Sequence, residues 1–129
     1  SMSDPALIRE ILLQITESTE RIKRRFAPIR SPDDFLANEE GIDRLDGICM
    51  MLIAMGENLK NLDKLTKGDL LRRYPQVDWN GAKGIRDIIS HHYYHVDPVI
   101  VFNVCQDKIP GLVQAINAMR EELANGPAS

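Results

Sequence analysis

The 129-residue sequence lacks several features that would identify other classes of protein. Its formal net charge is only −3, so no overall positive field marks it as a nucleic-acid-binding protein, although a local basic groove is not excluded. It contains no run of 18 apolar residues, which excludes an ordinary membrane-spanning helix. No secretory signal precedes the first predicted helix. We therefore expect a cytoplasmic protein with no membrane partner.

Cysteine is also scarce, and each of the two cysteines lies in an apolar stretch. Cys49 is surrounded by isoleucine, methionine and leucine, and Cys105 follows Val104. This setting favours two buried thiols in a reducing compartment over a disulfide. No segment alternates apolar and polar residues for long enough to predict a strand. The sequence therefore predicts an all-α protein.

What the sequence does contain is a series of helix start signals, each followed by apolar residues at helical spacing. The helix that begins at Trp79 is predicted to continue to Asp97-Pro98, where the last helix begins. Pro110-Gly111 is predicted to kink or break that last helix. The segment from Ile42 to Leu62 is apolar almost all round, which places it in the core or at a subunit interface. The start signals are Asp4-Pro5, Ser31-Pro32, Asn38, Asp78 and Asp97-Pro98.

These elements predict a four-to-five-helix up-and-down bundle. A chain of this length is expected to form one domain, which we assign to residues 3–124. Residues 1–2 resemble a cloning scar, and residues 125–129 are expected to form a frayed tail.

All three histidines fall within five positions, at His91, His92 and His95, shortly after Arg86. On a continuous helix, Arg86 and Tyr93 would share one face, whereas Arg86 and His91 would lie about 140° apart. One copy of such a helix does not place the arginine and the imidazole side by side on a small target. Either the long arginine side chain reaches round the helix, or a second copy of the motif faces the first across a two-fold axis, and the second option predicts a composite dimeric site.

The residue types in this cluster suit phosphate chemistry. An arginine offers a fork of donors to phosphoryl oxygens, and an imidazole exchanges protons near neutral pH. One interpretation is RNA cleavage, in which the ribose 2′-hydroxyl attacks the neighbouring phosphate. His91 would serve in proton transfer, and Arg86 would stabilise charge that develops on the phosphoryl oxygens. Asp87 would orient the imidazole or the guanidinium. The other interpretation is a polar helix end that faces solvent or a partner helix. Zinc binding by His91 and His95 is disfavoured, since the glutamate typical of zinc-binding helices is missing.

Two cationic clusters allow either a solvated helix end or a groove for an RNA backbone. Tyr74 and Trp79 flank the segment before the histidines, where packing is favoured over base stacking. The cationic clusters are Arg21, Lys23, Arg24 and Arg25, and Lys60, Lys64, Lys67, Arg72 and Arg73.

The pattern of Arg86, four residues, His91, one residue and Tyr93 resembles the R-x4-H-x-Y signature of HepT-like HEPN domains. The flanking segments 74–79 and 84–87, the exit from the motif at 92–97, and the pair Gly56-Glu57 are also similar to this family. The resemblance covers roughly Leu7 to Met119.

This resemblance implies a homodimeric α-helical bundle with two copies of the motif meeting in a cleft. It implies a metal-independent endoribonuclease that acts as the toxin of a toxin–antitoxin pair and needs no cofactor. Arg86 and His91 would be catalytic, and an MntA-like nucleotidyltransferase antitoxin would transfer AMP to Tyr93. The supporting residues are expected to be Glu57, Asp87, Ser90 and His92. The alternative is a dimer of the same fold that binds a nucleotide or a nucleotidyltransferase and cuts no RNA.

Overall fold

A computed structural model describes residues 4–92 and 95–126 of the chain, with residues 90–92 described by their backbone. Over these ranges the chain is mainly helical, with one short antiparallel pair of strands, β1 (Ser90–His92) and β2 (His95–Val96). A 3₁₀ turn spans Pro32–Phe35, and a π-helical segment spans Val104–Lys108. None of the described helices combines the length and apolarity that crossing a membrane requires. The α-helices are α1 (Pro5–Phe26), α2 (Glu39–Leu65), α3 (Asp69–Arg72), α4 (Trp79–Lys83), α5 (Ile85–Ile89), α6 (Pro98–Asn103) and α7 (Ile109–Ala124).

The predicted start signals act as helix caps at four of the five positions. The Asp4 carboxylate accepts a hydrogen bond from the Ala6 amide at 2.9 Å, and the Asn38 side chain accepts one from the Gly41 amide at 2.8 Å. Asp78 and Asp97 cap α4 and α6 in the same way. Each contact satisfies an amide that has no partner within its own helix. Ser31 is the exception, because its side chain forms no capping bond.

Helix α2 is the central element, as its apolar sequence predicts. It packs against α1, α4, α5 and the turn before it. At one end of α1, the Phe26 ring packs edge-on against Phe102 of α6, with ring centroids 5.2 Å apart. These contacts confirm the all-α bundle. The buried residues of α2 are Gly41, Leu45, Ile48, Cys49, Leu52, Met55, Gly56, Leu59 and Leu62.

The last helical stretch is interrupted close to the predicted position. The backbone changes to π-helical geometry over Val104–Lys108 and returns to an α-helix at Ile109. Pro110 has no amide hydrogen, and its ring crowds the carbonyl of the preceding turn. The prediction of a kink or break is therefore confirmed, with the distortion lying just before the proline.

The motif helix is shorter than predicted. It divides at Gly84 into α4 and α5, and α5 ends at Ile89. The chain then enters β1, whose Ser90 pairs with Val96 and whose His92 pairs with His95. Glycine is a poor helix former, and the following run of histidine, tyrosine and valine suits extended backbone. The predictions of one continuous helix to Asp97 and of no strand are therefore wrong here.

Both cysteines are buried and free, as predicted. Burial raises the pKa of the Cys49 thiol to about 11 and, with Cys49 nearby, that of the Cys105 thiol to about 12. Both side chains therefore pack as neutral thiols at neutral pH.

Candidate functional site

The predicted motif is held against the central helix by a close contact between backbones. A β-carbon built on Gly56 of α2 would lie 3.0 Å from Ile85 Cγ2 and 3.1 Å from the Ala82 carbonyl oxygen. Both distances are tighter than nine in ten real β-carbon contacts, so a side chain at this position would require its neighbours to move by a few tenths of an ångström. Ile85 and Ile89 are buried on the same side of α5. The opposite side of α5 is thereby directed outward.

Arg86 and Asp87 lie on that outward side, and both are exposed. Within the described part of the chain, neither side chain forms a hydrogen bond or an ion pair. Among the described residues, the donors of the Arg86 guanidinium therefore have no protein acceptor.

The side chains of Ser90, His91 and His92, and the whole of Tyr93, lie outside the described part of the structure. Their predicted roles therefore stay predictions. The backbone does place His91 in β1, two residues beyond the end of α5. The helical angle of about 140° between Arg86 and His91 therefore does not apply.

The hypothesis of zinc binding by His91 and His95 also required a continuous helix, because it placed the two imidazoles on successive turns. They lie instead in β1 and β2, so this helical geometry is not formed. Among the residues that the structure describes, no group of three or more histidines, cysteines or carboxylates is placed to hold a metal ion.

Glu57 follows the contact residue Gly56 in α2. Its carboxylate is half exposed and lies 2.9 Å from the Lys60 ammonium group. The predicted supporting role of Glu57 stays a prediction.

A second contact between α2 and the motif segment involves two residues that sequence reasoning missed. The Lys83 Nζ atom lies 2.7 Å from Asp63 Oδ2, and both side chains are about three-quarters buried, at 23% and 24% exposed. Lys83 is the last residue of α4 and stands three positions before Arg86. Because 20 residues separate the partners, no local spacing in the sequence could have revealed the pair.

Trp79 is buried and Tyr74 is half-buried, so both pack into the fold, as predicted. The Trp79 indole donates a hydrogen bond to the Tyr74 carbonyl oxygen at 2.8 Å, and the Tyr74 hydroxyl donates one to Glu122 at 2.8 Å. Arg73 forms an ion pair with the same Glu122 carboxylate. This network connects the loop before the motif to α7.

The second cationic cluster is partly neutralised. Lys60 is paired with Glu57, and Arg72 lies 3.7 Å from Asp69. Arg25, from the first cluster, lies across Gly47 of α2 and donates to its carbonyl oxygen at 3.3 Å. For the paired residues, these contacts favour the interpretation as a solvated helix end over a groove for an RNA backbone. They leave open a role for the other cations in RNA binding.

A cavity of about 350 Å³ lies beside the motif helix, between α4–α5 and the π-helical segment. Met55 of α2, Ile85 and Ile88 contribute to its largely apolar lining. Arg86 does not line it, so the cavity and the arginine use different sides of α5.

Comparisons with known proteins agree with this architecture. The model of the family described as ribonuclease HepT-like matches residues 15–119. A candidate RNase of Methanocaldococcus jannaschii, MJ0127, is 27% identical over 116 residues, which are 90% of this chain and 89% of that protein. A second protein of that organism, a gamma-glutamylcyclotransferase and candidate RNase, MJ0434, is also 27% identical over 116 residues. They make up 90% of this chain and 49% of that protein.

No solved structure matches the chain. The family model, however, covers most of the sequence and includes α5, β1 and β2. The chain therefore belongs to the HepT-like family of HEPN-type ribonucleases and is an enzyme of the ribonuclease class.

Proposed function

We propose that the protein is a metal-independent endoribonuclease whose catalytic residues are Arg86 and His91. The observation that carries this proposal is the outward position of Arg86 on α5, where no described residue occupies its guanidinium. His91 follows at the spacing of the family motif. A bidentate arginine is well suited to a phosphodiester.

In the proposed reaction, a base removes the proton of the ribose 2′-hydroxyl, and the oxygen attacks the adjacent phosphorus. The bond to the 5′-oxygen breaks as that oxygen receives a proton. The products are a 2′,3′-cyclic phosphate and a 5′-hydroxyl end. His91 serves one of the two proton transfers, and Arg86 stabilises charge on the phosphoryl oxygens. No metal is required, because the nucleophile belongs to the substrate.

The proposed active form is a homodimer with two motifs facing a common cleft. Support comes from apolar side chains that the described chain leaves exposed on the relevant helices: Ile42 and Met50 of α2, and Ile88 of α5. Met50 is 65% exposed although it lies on the central helix. Light scattering at micromolar concentration is expected to give the dimer mass. A monomer mass would contradict the composite cleft.

The proposed biological role is that of a cytoplasmic toxin, controlled by an MntA-like nucleotidyltransferase. AMP on Tyr93 would place a bulky anion in the motif and neutralise Arg86. Incubation with the nucleotidyltransferase and ATP should add AMP to the intact mass, and fragmentation should locate it on Tyr93. Tyr93→Phe is the control that should remain unmodified.

The cleavage assay uses purified protein and a mixed pool of single-stranded RNA and tRNA. His91→Ala is expected to abolish cleavage and growth arrest, and Arg86→Ala is expected to lower kcat by about 10²–10³-fold. Arg120→Ala is the matched control, because Arg120 is exposed on α7 and does not belong to the motif. Full activity in the His91 variant would contradict the catalytic assignment.

A second candidate function is a dimeric module that binds a nucleotide or a nucleotidyltransferase without cutting RNA. The net charge of −3 and the exposed Asp87 beside Arg86 favour it, because both weaken the attraction of a polyanion. It predicts binding without cleavage. Cleavage that depends on His91 would remove it.

A further inference from the structure

The secondary structure of the segment that carries Arg86 is too short to fix the position of that segment by itself. Helices α4 and α5 have five residues each, and Gly84 separates them with backbone angles outside the α-helical region. A helix this short is not stable alone. The direction of α5, and with it the position of Arg86, therefore depends on tertiary contacts.

Two tertiary contacts hold α4 and α5 in place, one on each side of Gly84. Ile85 packs against Gly56 after it, and Lys83 pairs with Asp63 before it. The apolar contact limits the distance between the helices but tolerates sliding, because dispersion has no direction. The ion pair has a direction and a defined length, and its partial burial shields it from solvent and salt.

We infer that Asp63 and Lys83 form a positioning pair, which fixes the orientation of α5 and thereby aligns Arg86 with the scissile phosphate. The inference rests on the proposed function of Arg86. Neither residue touches substrate in this role. Displacement of a reacting group by about 1 Å can cost about a hundredfold in rate, so losing the pair should affect catalysis more than binding.

The first test measures position without relying on activity. Lys83→Met removes the charge and keeps an unbranched side chain that is one atom shorter. Hydrogen exchange followed by mass spectrometry is expected to show faster exchange in residues 84–92, with α1 and α7 unchanged. Glu40→Gln is the matched control, since Glu40 pairs with Arg44 at the far end of α2. Unchanged exchange in residues 84–92 would overturn the inference.

The second test separates kcat from KM in RNA cleavage. Lys83→Met and Asp63→Asn are each expected to lower kcat by about ten- to a hundredfold with little change in KM. The charge-exchanged double variant Asp63→Lys with Lys83→Asp should recover part of kcat, because it restores the ion pair, whereas a separate role of either residue would not be restored. A higher KM with unchanged kcat would instead mean that Lys83 binds RNA, and would contradict positioning.

The two proposals fail in different ways. If the wild type and Arg86→Ala cut RNA equally well, the proposed role of Arg86 fails, whatever hydrogen exchange shows. If cleavage depends on Arg86 but Lys83→Met retains the wild-type kcat and exchange pattern, the positioning inference alone fails.

Discussion

Gly56 of α2 lies so close to Ile85 of α5 that an added β-carbon would be 3.0 Å from the Ile85 Cγ2 atom. The same β-carbon would be 3.1 Å from a backbone oxygen, that of Ala82. A side chain can rotate away from a clash, but a carbonyl within a helix cannot do so without moving the helix. The position of the motif segment therefore depends on the absence of a side chain at residue 56.

Gly56→Ala is expected to lower the free energy of unfolding. The overpacking alone should cost about 1–3 kcal/mol. The gain in helix propensity, about 1 kcal/mol, offsets part of this loss. Urea unfolding followed by circular dichroism measures the difference. Gly111→Ala is the control, because a β-carbon there meets no described atom within 4 Å. Equal stability of the two variants would contradict the close-contact argument.

Arg86 should contribute to cleavage and not to folding. Arg86→Ala is expected to lower kcat by about 10²–10³-fold, and Arg86→Lys should restore only part, because an ammonium group lacks the planar fork. The free energy of unfolding should change by less than about 0.5 kcal/mol, since the side chain contacts no described partner. A large loss of stability would show a structural role for Arg86 instead.

The network at Glu122 should contribute to stability. Tyr74→Phe and Glu122→Gln each remove part of the link between the loop and α7, and each is expected to cost about 1 kcal/mol. Glu121→Gln is the control, because the neighbouring Glu121 carboxylate forms no bond to a described side chain. Thermal unfolding compares the three variants. Equal melting temperatures would show that the network contributes nothing.

The two thiols should resist alkylation in the folded protein. Iodoacetamide reacts with thiolates, and burial raises the pKa values of Cys49 and Cys105 to about 11 and about 12. Labelling at pH 8 is expected to be slow in buffer and rapid in denaturant. Rapid labelling of the native protein would contradict the buried position of both side chains.

The same thiols predict the direction of a pH effect. In the unfolded chain they lose protons near the ordinary pKa of 9.0, whereas the folded protein retains them to about 11 and 12. This contribution to stability is therefore fully present below about pH 9.0 and is lost as the pH rises from that unfolded value to the folded values of about 11 and about 12. Replacing both cysteines with alanine should remove this contribution to the alkaline loss of stability, as urea unfolding between pH 8 and 10 would show.

Local sequence determined most of the helical architecture, because helix caps and apolar spacing act over a few residues. Asp4, Asn38, Asp78 and Asp97 begin their helices where the sequence predicts, and the last helix is distorted just before Pro110. The family motif, from Arg86 to Tyr93, was likewise recognisable from residue types and spacing alone.

Tertiary structure decided where the motif helix ends and what holds it. Helical periodicity extended the predicted helix past Ile89, but the pairing of β1 with β2 ends it there. The contact between Gly56 and Ile85 and the pair of Asp63 with Lys83 each join residues more than 19 positions apart. Such contacts depend on how the helices pack, and packing is a property of the whole chain that local spacing does not encode.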